Sequence, residues 1–336
     1  MLRLPRLEVL RPRSLDEALA LLAEHGEEAR LLAGGTDLMP NLKHRLLEPR
    51  VLIALSGIEE LRGIEPAADG GFRIGATTPL AEVAAHPGLA AKAPALARAA
   101  ALVASPQIRN VGTLGGNLLL DTRCQWINQS HFWRQALGFC LKKDGTKCHV
   151  VEGGSKCVAA ASNDTAAALM TLDAVLELRS PGGRRELSVT ELWRADGIAN
   201  KKLRPDEILV ALRLPPTPAG HRGAYGKLRE RGSIDFPLLG LAARLDLDGA
   251  GVVSRAELAA VALQARPLLL PRAGELLAGR RSGDEDFAAA VAAVAAEAAR
   301  RFRPLPNIPG DAEWRRKMVP VLARRTLLAA AAGEPE

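Results

Sequence analysis

Two glycine-rich loops most constrain what this chain can fold into. The first reads Leu31-Leu32-Ala33-Gly34-Gly35-Thr36-Asp37-Leu38: a short apolar strand enters a Gly-Gly turn and leaves through a polar pair. Glycines let backbone N–H groups approach a phosphate closely, and Thr36 adds a hydroxyl donor. A Gly-Gly turn before an N-capping Thr or Asp also serves any α/β protein as a plain turn. The second loop is Ser105-Pro106-Gln107-Ile108-Arg109-Asn110-Val111-Gly112-Thr113-Leu114-Gly115-Gly116-Asn117, a density of glycines and amides unusual for a structural loop. Neither loop follows G-x-G-x-x-G or G-x-x-x-x-G-K-[ST], which argues against a Rossmann nicotinamide site and a P-loop.

Around these loops the first hundred residues alternate in character, as an α/β layer does. Ser14-Leu15-Asp16-Glu17 reads as a capping box opening a helix over 14–24. Residues 29–33, 51–55 and 72–76 read as strands, and 79–102 as a helix broken near Pro87-Gly88 and Pro94. Further on, 165–174 reads as a helix, and 175–179 and 207–214 as strands. Pro215-Pro216-Thr217-Pro218 predicts a stiff linker. Strands over 224–228, 238–247 and 258–264 and helices over 284–301 and 312–331 then predict a smaller α+β domain. The division is 1–216 and 219–332.

All four cysteines fall between residues 124 and 157, spaced Cys124-x15-Cys140-x7-Cys148-x8-Cys157. That spacing matches neither a zinc ribbon nor a ferredoxin. The same stretch holds Lys142, Lys143, Lys147 and Lys156, four of the ten lysines, together with Trp126, Phe132, Trp133 and Phe139. So sharp a shift in composition predicts an insert over 122–158 with its own organising centre. Four thiolates favour iron–sulfur or zinc; buried free thiols are the alternative. The four aromatics would shield such a centre, while His131 and His149 read as hydrogen-bonding or surface residues.

The net charge is +7 and the sequence pI about 9.5, but acids intersperse the bases and no Lys/Arg run or RNA-binding aromatic motif occurs, so nucleic acid is disfavoured. No apolar h-region and no charge-free span of membrane-crossing length is present. The reading is a cytoplasmic protein, where cysteines serve as metal ligands or reactive thiols more often than as disulfides.

The two loops together resemble the FAD-binding subunit of the xanthine dehydrogenase and carbon monoxide dehydrogenase family. Ser162-Asn163-Asp164 is similar to that family's Ser-x-Asp element, and Lys227-Leu228-Arg229-Glu230-Arg231 with Ile234-Asp235-Phe236 to its C-terminal Lys-x-x-x-Arg…Asp stretch. The resemblance implies a two-part FAD-binding fold, α+β, with the smaller domain behind it. It implies that residues 31–38 and Thr113, Leu114, Gly115, Gly116 and Asn117 wrap the FAD pyrophosphate, with Gln107 also binding the cofactor. Asp164 would bind the ribityl or adenosine part, Leu209 the adenine side, and Lys227 would reach the flavin. Asp164 also suits a helix N-cap, and Lys227 a solvated surface position. Where some relatives place an aromatic beside the flavin ring, this chain has Val103-Ala104, so flavin stacking and nicotinamide binding do not carry over.

The cysteine insert resembles that of the 4-hydroxybenzoyl-CoA reductase beta subunits through Asp121-Thr122-Arg123-Cys124, Phe132-Trp133-Arg134, Cys140-Leu141-Lys142 and Cys148-His149-Val150. The resemblance implies that Cys124, Cys140, Cys148 and Cys157 hold a [4Fe–4S] cluster. It implies partners too: a [2Fe–2S] subunit and a molybdenum cofactor subunit in a dimer of heterotrimers, with ferredoxin as donor, for which Lys142, Lys143, Lys147 and Lys156 would form a basic docking patch beside the cluster. Electrons would run from ferredoxin through the cluster and FAD to molybdenum, where a partner subunit dehydroxylates the substrate; this chain supplies no acid, base or nucleophile. Two rivals stand beside it. One is a hydroxylase subunit passing electrons outward, the other a non-redox module holding structural zinc.

Overall fold

The computed structural model describes residues 2–335. Strand β1 (Glu8–Leu10) leads through helix α1 (Leu15–His25), β2 (Ala29–Leu32) and α2 (Leu38–Lys43) to β3 (Val51–Ala54). The strands form a parallel sheet in the order β1-β3-β2, with Glu8 opposite Val51 and Leu31 opposite Ile53. Parallel strands need crossovers; α1 lies in that from β1 to β2 and α2 in that from β2 to β3, and α1 packs Leu15, Ala18, Leu19 and Leu22 with Val51 and Ile53. The Ser14 hydroxyl caps α1 by accepting from the Glu17 N–H. The predicted capping box closes one residue early, because the Glu17 carboxylate accepts from the Arg13 N–H and not from that of Ser14.

A five-stranded antiparallel sheet follows, in the order β4-β5-β8-β6-β7, made of β4 (Ile64–Pro66), β5 (Phe72–Gly75), β6 (Val175–Ser180), β7 (Gly183–Ser188) and β8 (Ile208–Leu214). Seven helices lie between β5 and β6: α3 (Leu80–Ala85), α4 (Pro87–Lys92), α5 (Pro94–Ala101), α6 (Pro106–Arg109), α7 (Leu114–Leu118), α8 (His131–Ala136) and α9 (Asp164–Thr171). Proline opens α4, α5 and α6, where its missing N–H is no loss; the predicted 79–102 helix is therefore three. The cysteine stretch makes one short helix, α8, and is otherwise turns. Its ends are pinned: Arg123 and Ala160 exchange both backbone hydrogen bonds, at 2.8 and 2.7 Å.

After residues 215–218 come β9 (His221–Leu228), β10 (Leu239–Leu247), β11 (Val253–Val261) and β12 (Leu268–Leu269), antiparallel in the order β12-β11-β10-β9, then α10 (Ala273–Leu277), α11 (Glu285–Arg301) and α12 (Ala312–Ala332). This sheet is buried on both faces. Leu239, Leu241, Ala243 and Leu245 share a core with Val291, Val294, Leu322 and Leu327 of α11 and α12. Alternate residues turn the other way: Tyr225, Ala242, Ala259 and Val261 join the core of the first half, among Leu96, Ala99, Ala166 and Leu169. Burial on both sides explains why these strands read as apolar runs rather than alternations. No helix among the described residues is long and apolar enough to cross a membrane.

Candidate functional site

The crossing of the two glycine loops leaves a cavity of about 430 Å³. Leu31, Ala33, Gly34, Gly35, Thr36, Asp37 and Leu38 line it from the first loop, and Thr113, Gly115, Gly116 and Asn117 from the second. Asp164 and Leu209 complete the predicted set. Four predicted residues stay off the wall: Leu32 beside it, Leu114 fully buried in the core, Gln107 out in solvent, and Lys227.

The glycines have a nearer reason than a ligand. A Cβ on Gly34 would stand 2.0 Å from the Val111 carbonyl oxygen, and one on Gly115 2.7 Å from that of Ala76. Chain crosses chain at both points, which brings the loops together before anything is bound. Meanwhile the N–H groups of Gly34, Gly35, Thr36 and Asp37 find no acceptor among the described residues. Successive free amides around a cavity are suited to an anionic group such as a pyrophosphate.

Polar groups fix the walls. The Thr113 hydroxyl caps α7 by accepting from the Gly116 N–H at 3.1 Å. Asn117 Oδ1 accepts from the Thr165 N–H at 3.1 Å and its hydroxyl at 2.7 Å, holding α7 to the start of α9. Asp164 does not cap α9. Its carboxylate, 3% exposed, takes the Tyr225 hydroxyl at 2.9 Å and the Lys227 ammonium at 2.9 Å. Burial pushes that carboxyl up and Lys227 opposes it. Lys227 therefore sits behind Asp164, donating also to the Leu102 carbonyl at 2.9 Å, because a buried carboxylate requires a partner cation. It is neither the solvated lysine nor a lining residue.

Sequence reasoning missed the opposite rim. Arg123 donates to Asp37 at 2.7 Å, and its guanidinium lies 3.9 Å from the centre of the Phe236 ring. Burial pushes Asp37 up against the pull of Arg123. Ile234 and Phe236, from the β9–β10 loop, face Val103 and Ala104 across the mouth, where Ile234 N–H donates to the Ala104 carbonyl at 2.9 Å. The only sequence signal for Arg123 was its place next to Cys124.

The four cysteines line one small separate cavity with Trp126, Leu141, Lys142 and His149. None is in a disulfide. Burial, with the other three thiols adding to it, pushes the Cys124 thiol up to about 11. His149 is committed elsewhere, its ring stacked on Trp126 at 5.1 Å and its Nε2 2.6 Å from the Phe139 carbonyl oxygen. The donor set at this cavity is thus thiol alone, which suits a thiolate-ligated centre. Among the described residues no three His, Cys, Asp or Glu side chains close to the spacing that would hold a metal ion. Two expectations are corrected here. Phe132 and Trp133 are 79% and 50% exposed rather than packed around the cysteines, since they lie on the outward side of α8 while Arg134 is its buried residue. Lys142 is no docking residue: its ammonium is consumed by Asp121, the Thr122 hydroxyl and carbonyl, and the Gly197 carbonyl.

A family described as the FAD binding domain in molybdopterin dehydrogenase matches residues 5–217, and the CO dehydrogenase flavoprotein C-terminal domain matches 224–330. The chain is 32% identical to the carbon monoxide dehydrogenase medium chain of Afipia carboxidovorans over 94% of each protein. It is 36% identical to an aldehyde oxidoreductase FAD-binding subunit of Escherichia coli over 70% of this chain and 76% of that one. A solved carbon monoxide dehydrogenase from Hydrogenophaga pseudoflava superposes with a TM-score of 0.79 at 30% identity, covering 98% of this chain and 99% of that one. With those matches laid over the paired loops and the doubly buried sheet, the chain belongs to the family of FAD-binding subunits of the xanthine dehydrogenase and carbon monoxide dehydrogenase type.

Proposed function

We propose that this chain is the electron-relaying FAD subunit of a multi-subunit molybdenum enzyme, in the cytoplasm, with [2Fe–2S] and molybdenum subunits as partners in a dimer of heterotrimers. The observation that carries the reading is the loop crossing, with its four unpaired amides in a cavity shared by both halves. FAD, when bound, accepts one or two electrons. The chain's own residues would hold it: Gly34, Gly35, Thr36 and Asp37 offer N–H groups and Thr36 and Thr113 their hydroxyls to the pyrophosphate, Gly115 and Gly116 leave room for it, and Asp164 accepts from hydroxyls of the nucleotide. Leu31 and Leu209 offer apolar contact, and Val103, Ala104, Ile234 and Phe236 keep water from the mouth.

The finer reading is a 4-hydroxybenzoyl-CoA reductase-type subunit whose Cys124, Cys140, Cys148 and Cys157 hold a [4Fe–4S] cluster fed by ferredoxin. Its support is an excursion pinned at Arg123 and Ala160, with every cysteine of the chain on one cavity. Lys147 and Lys156 remain exposed beside it for an acidic donor. Outward flow from a hydroxylase is the second reading, and the names of the similar proteins, carbon monoxide dehydrogenase and aldehyde oxidoreductase, favour it.

Anaerobic purification tests both levels. The reading expects about one FAD per chain, four iron and four labile sulfides, with the iron lost or reduced to three when any one cysteine becomes serine. Stoichiometric zinc without iron would overturn the cluster and leave the flavin reading intact. Absence of flavin after refolding with FAD would overturn both. Turnover of 4-hydroxybenzoyl-CoA by the complex with a low-potential donor separates inward from outward flow.

A further inference from the structure

Residues 121–124 form a wall that the two cavities share. Asp121 and Arg123 line the cavity at the loop crossing, while Cys124 lines the cavity of the four thiols. The sides alternate as they do in extended backbone, and Thr122, buried between them, donates to the Gly197 carbonyl at 2.6 Å. Gly197 in turn donates to the Cys157 carbonyl at 2.8 Å. Other bonds anchor the segment on its cysteine side. The Cys124 N–H donates to Asn128 Oδ1 at 2.9 Å, and the paired backbone bonds of Arg123 and Ala160 tie it to the chain that leaves Cys157.

Arg123 carries the position of that segment across the wall. Its guanidinium donates to Asp37 at 2.7 Å, in a pair whose side chains are 21% and 25% exposed. Asp37 is the only acid of residues 33–37, the loop whose free amides suit a pyrophosphate. A carboxylate there repels an anion unless a cation neutralises it, and burial sharpens the requirement. Arg123 is that cation, and the Phe236 ring packs 3.9 Å from it. A second tie, the Asp121–Lys142 ion pair at 2.9 Å, also crosses the wall. Asp121 is 48% exposed, however, where such a pair is worth little.

We propose that Arg123 is a positioning residue that couples the four-cysteine centre to the FAD cavity, so that filling either site tightens the other. This rests on the reading of both cavities as cofactor sites, and it holds for iron–sulfur and zinc alike. With Cys124, Cys140, Cys148 and Cys157 joined on one centre, the backbone next to Arg123 is fixed. The guanidinium then stands at Asp37 before FAD arrives, and the ordering that FAD would otherwise impose is already met. Coupling of this kind is reciprocal, and a link through one side chain is expected to give about tenfold.

The test measures FAD affinity of the whole chain by flavin fluorescence. The chain is stripped of metal with a chelator, then reloaded with iron and sulfide or with zinc alone. Loading should tighten FAD about tenfold in the wild type, less than about twofold in Arg123→Met, and by an intermediate factor in Arg123→Lys, which keeps the cation. Adding Asp37→Asn to Arg123→Met should raise affinity by removing the bare carboxylate, yet leave it insensitive to metal. Should the stripped chain lose its fold, the reciprocal measurement uses the loaded one. FAD should then shift the equilibrium of metal between protein and chelator towards the protein in the wild type and not in Arg123→Met. Equal FAD affinity with and without metal in the wild type would overturn the coupling and leave both sites standing. Undiminished coupling in Arg123→Met would overturn its assignment to Arg123. A chain that binds neither iron–sulfur nor zinc would overturn the reading of the cysteines and the coupling together.

Discussion

Gly34 shows how a motif residue can be demanded by the chain itself. With a Cβ 2.0 Å from the Val111 carbonyl oxygen, Gly34→Ala must push apart two backbones, and neither can rotate away as a side chain could. Overpacking of this sort costs about 1–3 kcal/mol or more, and here the displacement opens the cradle directly. We expect Gly34→Ala to lower the melting temperature and to lose most of its FAD. Gly232→Ala, whose Cβ meets nothing within 4 Å, should change neither. Equal FAD retention in both variants would separate the loop crossing from the cofactor site. The same reasoning revises why Gly115 is glycine: the nearest obstacle is Ala76, not the ligand.

At the scale of elements, Asp164 and Lys227 join α9 to β9 by a buried ion pair. Lys227→Met leaves a carboxylate uncompensated in the interior, at a cost of roughly 3–5 kcal/mol. Adding Asp164→Asn removes the orphan charge and should restore most of the stability, a recovery that denaturant titration of the two variants would read. No recovery would mean that Lys227 acts through the Leu102 carbonyl instead. What was legible in the sequence follows from local physics. The start of α1 announced itself through Ser14, the breaks between α3, α4 and α5 through Pro87 and Pro94, and turns through paired glycines, whereas α6 and α7 lie in what read as a loop. The five-stranded sheet was not legible, because β5 pairs with β8 and β8 with β6, contacts set by tertiary packing rather than by neighbouring residues. Buried cations were missed for a related reason. Nothing in the sequence singles out Arg315, yet it is fully buried and donates to the Leu238, Leu305 and Ala262 carbonyls, and burial pushes it down to about 10. Its partners are backbone oxygens that no side-chain pattern records. Lys142 went unrecognised partly for that reason, since two of its four acceptors are the Thr122 and Gly197 carbonyls.

For the whole molecule, the two halves are also tied electrostatically. Asp246 of β10 accepts from Arg244 at 2.7 Å and stands 2.8 Å from His221 Nδ1, while Arg244 reaches across to the Thr171 carbonyl and Asp173. Burial pushes the Asp246 carboxyl up, but the bonds from His221 and Arg244 outweigh it and hold the group below its ordinary value of 3.8. Between the lowered folded value and 3.8 the unfolded chain binds more protons, so stability falls as pH drops through that window and is fully present above it. Asp246→Asn should cost about 3 kcal/mol at pH 7 and flatten the acid limb of the stability curve below about pH 4; melting curves from pH 3 to 7 would show it. An unaltered acid limb would assign that limb to other carboxylates.

The doubly buried sheet has a consequence for inheritance. Tyr225, Ala242, Ala259 and Val261 belong to the core of the first half while their strands belong to the second. A gene cut at the codons for residues 215–218 would not yield two modules. It would yield one piece missing a wall and another carrying an exposed greasy floor. Recombination between relatives can exchange the C-terminal half only if the incoming strands carry side chains shaped for Leu96, Ala99, Ala166 and Leu169. The seam is where such chimaeras would fail, and repairing those four strand positions is the shortest route to rescuing one.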